Sequence, residues 1–142
     1  MRKIIFLSTI VFMLPTLFAQ DSENGFVRIH VDDLEWTVRE GGTSFVVLYG
    51  DPSEPGFYIQ RNRFPPGAFS TPHYHDQDRL ISVISGTWYT GVGAELDKED
   101  TVPLPPGSYM VHPAGGWHYD GAIEEEVVVE IRGMGPVRTI FE

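Results

Sequence analysis

Pro72-His73-Tyr74-His75 is the stretch of this sequence with the clearest capacity for chemistry. On an extended strand, side chains at i and i+2 share a face, so His73 and His75 present two imidazoles together while Tyr74 turns away into packing between layers. A third imidazole from elsewhere would complete one face of a metal's coordination sphere. The distant segment Pro113-Ala114-Gly115-Gly116-Trp117-His118 offers one in His118. Neutral imidazole suits zinc, copper, iron and nickel. The chain has no cysteine, which excludes disulfides, thiolate catalysis, cysteine zinc sites and a lipid anchor on cysteine.

The segments that must carry these histidines read as short strands broken by Gly, Pro and Asp. The pattern predicts strands near 26–30, 35–38, 44–49, 57–64, 70–75, 79–85, 87–92, 108–112, 117–119, 126–132 and 137–141. Pro65-Pro66-Gly67 and Pro105-Pro106-Gly107 are turn signals between them. Residues 20–25 are polar and expected to fray, and only 94–100 accommodates a helical turn, reading equally well as a loop. In Glu126-Val127-Val128-Val129-Glu130-Ile131 the alternation sends Val127, Val129 and Ile131 to the core and Glu126 and Glu130 outward. Many short strands with turns at this spacing predict an all-β sandwich or barrel.

With 142 residues, the chain suits one domain. The apolar fraction of 42% and charged fraction of 21% are those of a globular protein. Net charge is −10, a sign that disfavours nucleic acid and anionic membranes as partners; a local cationic site could still bind an anion. Residues 1–19 open with Met-Arg-Lys, run apolar and end in Ala19 before polar sequence, the layout of a secretory signal peptide. The apolar run is short for a retained membrane anchor. The expected organisation is therefore a signal peptide over 1–19 and one β-barrel domain over 20–142, periplasmic or secreted, with no membrane partner after cleavage. Loss of Arg2 and Lys3 with the peptide would take the charge from −10 to −12.

Gly67, five residues, His73, one residue, His75 and a later Gly86 resemble the first cupin motif. Gly107, five residues, Pro113, one residue, Gly115, two residues and His118 resemble the second. The resemblance implies a single-domain cupin jelly-roll barrel with a metal inside, near one mouth, and a homodimer. Two departures stand out. Arg79 occupies the place of the Glu that usually follows the two histidines, and Ala122 that of the usual terminal Asn. A guanidinium stays protonated and has no lone pair to donate. Three outcomes are open: a site of His73, His75 and His118 alone, similar to the three-histidine cupins that include thiol dioxygenases; entry of Asp78, one residue out of register, through a bulge; or loss of the metal, with the histidines binding something else or serving structure.

In the family register Arg79 points into the barrel. A buried cation needs a partner, and the choices are a carboxylate (Asp76, Asp78 or Asp120) or an anionic substrate, for which Arg is suited. Tyr119, Asp120 and Asp78 are the nearest general-base candidates. Trp117 and Tyr119 read as wall or core, one of Trp88 and Tyr89 should face inward, and His112 has no face assigned by the pattern. His30 reads as surface, and Arg61 and Arg63 as a solvated face. The combined expectation is an exported small cupin holding one divalent transition metal (Fe, Mn, Zn, Ni or Cu) through His73, His75 and His118. It would act as an oxygenase-type or other metal-dependent enzyme on a small-molecule ligand of anionic character, with Arg79 as substrate-binding residue. The alternatives are a non-catalytic metal or small-molecule binding protein, and an interaction domain built on the barrel.

Overall fold

The computed structural model of the chain describes residues 21–142, so the expected signal peptide over 1–19 lies outside the described residues. The chain divides into two compact units between Leu34 and Glu35.

In the first unit, β1 (Asp21–Glu23) pairs antiparallel with β2 (Phe26–Arg28). The expectation that residues 20–25 fray is therefore corrected. Asn24 and Gly25 both take positive φ, 55° and 84°, and Asn-Gly is the dipeptide that forms the tight turn whose twist matches a hairpin. A 3-10 turn, Val31–Asp33, follows, capped by the exposed His30, whose Nδ1 accepts the Asp32 N–H.

The second unit, Glu35–Glu142, is built of strands. They are β3 (Thr37–Val38), β4 (Ser44–Tyr49), β5 (Gly56–Phe64), β6 (Tyr74–His75), β7 (Arg79–Ser85), β8 (Trp88–Val92), β9 (Val102–Leu104), β10 (Tyr109–His112), β11 (His118–Gly121), β12 (Val127–Gly135) and β13 (Thr139–Ile140). One antiparallel sheet has the order β10-β7-β12-β5-β4-β3. Opposite it stand β11-β8-β9 and the pair β13-β6, joined by single bridges at His73–His118 and Phe69–Gly121. The result is the all-β jelly-roll barrel expected. Residues 94–100 form a loop without helix. The unexpected strand β9 contains Pro103 and lies at the sheet edge beside β8, where a missing N–H costs no ladder bond.

Apolar side chains from both sheets meet inside. Tyr58, Ile81, Val83, Val127, Val129 and Ile131 from the large sheet pack with Trp88 from the small one. The alternation in β12 sends Val127, Val129 and Ile131 inward as expected, but Glu130 on the opposite face is not solvated. It is buried, stands cross-strand from Arg61, and accepts hydrogen bonds from Arg61 Nε at 3.1 Å and Arg132 Nε at 3.1 Å. Two cations close over one carboxylate, which makes its burial tolerable. Arg61 is thereby part of this pair and not a free solvated charge. The turn from β7 to β8 depends on Gly86: its φ is +70°, and a Cβ there would strike the Glu126 carbonyl.

Candidate metal and anion site

The two histidine segments are zipped together by backbone. The His73 N–H donates to the His118 carbonyl at 3.0 Å, and the His118 N–H returns to the His73 carbonyl at 2.9 Å. This reciprocal pair places the rings of His73 and His118 4.4 Å apart, with His75 4.9 Å from His73 and 5.4 Å from His118. One nitrogen from each lies within 4.8 Å of the others, and all three residues are buried. Tyr74 turns away as strand alternation requires and packs edge-on against Trp117 at 5.1 Å.

Hydrogen bonding assigns the tautomers. A carbonyl only accepts, so His73 Nδ1 donates to Thr71 O at 2.7 Å and His118 Nδ1 donates to Gly116 O at 2.9 Å. At His75, Arg79 Nη1 donates to Nε2, which places the proton on Nδ1, 3.3 Å from Thr139 Oγ1. All three histidines therefore carry Nε2 lone pairs. Burial keeps the His75 and His118 rings neutral. It lowers His75 to about 2, with Arg79 adding as a nearby cation. It lowers His118 to about 4, against the Gly116 hydrogen bond, which favours the charged form.

The donor set fits a divalent transition metal. Three neutral imidazoles converge, two of them held by backbone carbonyls in the ligating tautomer. His118 Nε2 is buried without a hydrogen-bond partner. Asp78 does not join them: its carboxylate accepts the Ala114 N–H at 2.8 Å from an exposed position.

Arg79 lines the same cavity. Neither Asp76 nor Asp78 is its partner, since Asp76 pairs with Arg138 at 2.8 Å. Burial lowers the Arg79 pKa, opposed by Tyr58 and by Asp120. Asp120 is itself buried two residues beyond His118 on β11, its Oδ2 4.0 Å from His118 Nε2. Burial raises its pKa, with His73 and Arg79 pulling it down. Arg79 Nε remains buried without a partner. Of the general-base candidates, Asp120 alone reaches the cavity; Tyr119 is core and packs over Gly91.

His112 is the residue that the pattern left without a face. It stands directly cross-strand from Arg79, so both share a face of the large sheet, and its ring lies 3.7 Å from that of His118. The sequence signal was there in outline, since His112 precedes Pro113 of the second motif, but the β10–β7 register that aims it inward is a long-range fact. The cavity has a volume of about 550 Å³, with walls that include Tyr58, Trp88 and Phe141 beside the histidines, Arg79 and Asp120.

Comparison with known proteins agrees with this architecture. No curated protein matches the chain. Among solved structures, the polyketide cyclase RemF from Streptomyces resistomycificus superposes with a TM-score of 0.65 at 23% identity, over 81% of this chain and 85% of that one. KdgF from Halomonas sp. gives 0.60 at 23% identity, over 75% and 93%. A cupin-superfamily sugar phosphate isomerase from Silicibacter pomeroyi gives 0.61 at 21% identity, over 81% of each chain. At these identities the likeness is one of fold. The model of the ChrR cupin-like domain matches residues 24–138, and with both histidine motifs and the barrel in place, this chain belongs to that family of the cupin superfamily.

Proposed function

We propose that the barrel binds one divalent transition-metal ion through His73, His75 and His118, and acts as an enzyme on a small anionic molecule whose acidic group is taken by Arg79. One observation carries this reading. Three imidazoles with their Nδ1–H groups turned to oxygen partners face a walled cavity of about 550 Å³ that also holds a guanidinium with an unpartnered Nε. A bound ion would supply Lewis acidity and open coordination positions for a chelating substrate, with oxygenase chemistry available to iron or copper. Arg79 would orient the anionic end by a forked pair of hydrogen bonds. Asp120, whose proton affinity burial raises, is placed to take a proton from a substrate held beside His118. The polyketide cyclase and the sugar phosphate isomerase among the fold relatives support a small-molecule reaction, and the second of these has an anionic substrate class in its name. Export belongs to the same proposal, supported by the basic start and apolar run of residues 1–19. So does a homodimer, supported by the cupin resemblance and open to light scattering.

A second reading has its own observation. Because Arg79 Nη1 occupies the His75 Nε2 lone pair, the cavity also suits a metal-free protein that captures a small anion. Elemental analysis of chelator-free protein separates the two, run beside a His73→Ala, His75→Ala double variant. Near-stoichiometric metal that falls sharply in the double variant supports the metal enzyme. Metal-free protein after reconstitution, or full retention by the double variant, refutes it.

A further inference from the structure

We propose a second metal position in the same cavity, held by His112, His118 and Asp120. The three side chains are 3%, 3% and 6% exposed, and one ligating atom from each lies within 4.8 Å of the others. Both ring nitrogens of His112 and the Nε2 of His118 are buried without a hydrogen-bond partner. Buried polar atoms are almost always satisfied, and leaving one unsatisfied is costly. An imidazole without a protein partner at either nitrogen, beside the partnerless His118 Nε2 and a buried carboxylate, offers the donors that a cation needs. Stacking on His118 and proximity to Trp88 at 5.7 Å explain the place of the His112 ring but not its nitrogens.

The two positions differ in charge and readiness. The first has three neutral donors, one of them engaged by Arg79. The second has two imidazoles and a carboxylate, a set suited to divalent first-row metals, and it cancels one unit of the ion's charge. Arg79 can stay on His75 while an ion sits in the second position, and must leave it for an ion in the first. His118 serves both positions through a single atom, because its Nδ1–H is committed to Gly116 O and only Nε2 has a lone pair. A dinuclear pair is thereby excluded: one ion occupies one position or the other. With the ion in the first position Asp120 is free to move a proton; in the second it is a ligand. This inference shares His118 and Asp120 with the proposed function, and the test below separates the failure of one from the failure of the other.

The test is a Co2+ titration of the full chain, read by visible d–d absorption and by competition against a chromophoric chelator, with folding checked by circular dichroism. The variants are His73→Ala/His75→Ala, the same double with Asp120→Asn, and the single changes His112→Ala and Asp120→Asn. The wild type should bind one Co2+ per chain. The His73→Ala/His75→Ala variant should keep a single, weaker site with an altered spectrum, filled on titration but not retained through purification, and weakened at least about tenfold more by adding Asp120→Asn. A folded double variant without Co2+, together with wild-type affinity in His112→Ala, overturns the second position and leaves the first standing. Wild-type affinity and spectrum in the double variant overturn the first position instead. Should the double variant not fold, His112→Ala decides alone: affinity and spectrum identical to wild type refute the second position, and a weaker site with a changed spectrum supports it.

Discussion

Replacing Arg79 by methionine should tighten divalent-metal binding at the histidines. Arg79 Nη1 occupies the His75 Nε2 lone pair, which a metal would take at about 2.1 Å, so the guanidinium must turn aside, and from a neighbouring position its charge would lie roughly 5 Å from the ion. At that separation and an effective dielectric constant of about 20, a divalent ion and a guanidinium repel by roughly 7 kcal/mol. Two features reduce the realised value. The side chain can swing into the cavity, and Asp120, 4.0 Å from His118 Nε2, attracts the same ion with comparable strength. A residual of about 1.4 kcal/mol is already tenfold in affinity, and at least that gain is expected for Arg79→Met. Arg79→Glu, which adds a donor, should gain more. The assay is a zinc titration against a chromophoric chelator, with and without a small carboxylate anion. Added anion should strengthen zinc binding in the wild type, because it neutralises Arg79, and should have no such effect in Arg79→Met. Equal or weaker zinc affinity in Arg79→Met would refute the reasoning, since it would mean that the guanidinium does not oppose the ion.

Acid should destabilise the metal-free protein. His118 is held at about 4 and His75 at about 2, both below the unfolded value of about 6.5. The unfolded chain therefore binds more protons, and stability is lost as pH falls below 6.5. His118 alone accounts for roughly 3 kcal/mol by pH 4, readable as a falling urea midpoint that saturating zinc should oppose near neutral pH. Gly86→Ala should cost about 2 kcal/mol or more, seen as a lower Tm, because it combines a positive φ with a collision at the Glu126 carbonyl. Glu130→Gln should cost about 1–3 kcal/mol by weakening the buried acceptor shared by Arg61 and Arg132, with metal affinity unchanged because that network lies on the outer face of β12.

Asn24-Gly25 and β9 show why some elements were missed. The hairpin turn was legible in two residues, but the polar composition around it masked it, and β1 exists only through its pairing with β2. β9 carries Pro103 in a run that reads as loop, and becomes a strand because an edge position forgives the missing donor. Glu130 followed the alternation to the outer face, yet its burial depends on Arg61 arriving cross-strand from β5. Local pattern states which face a side chain takes, not what covers that face.

The sequence by itself determined the β class, the breaks between most strands, the shared face of His73 and His75, and the two spaced motifs that give the family. These are local properties: a period of two along a strand and the backbone demands of Gly and Pro act within a few residues. Only the tertiary structure decided that His118 zips against His73, that Arg79 sits on the lone pair of His75, that Asp78 stays out while Asp120 comes in, and that His112 joins the cavity from β10. Each of these depends on register between strands distant in sequence. A shift of one residue would reverse every side chain involved, and the register is selected by the whole core packing at once.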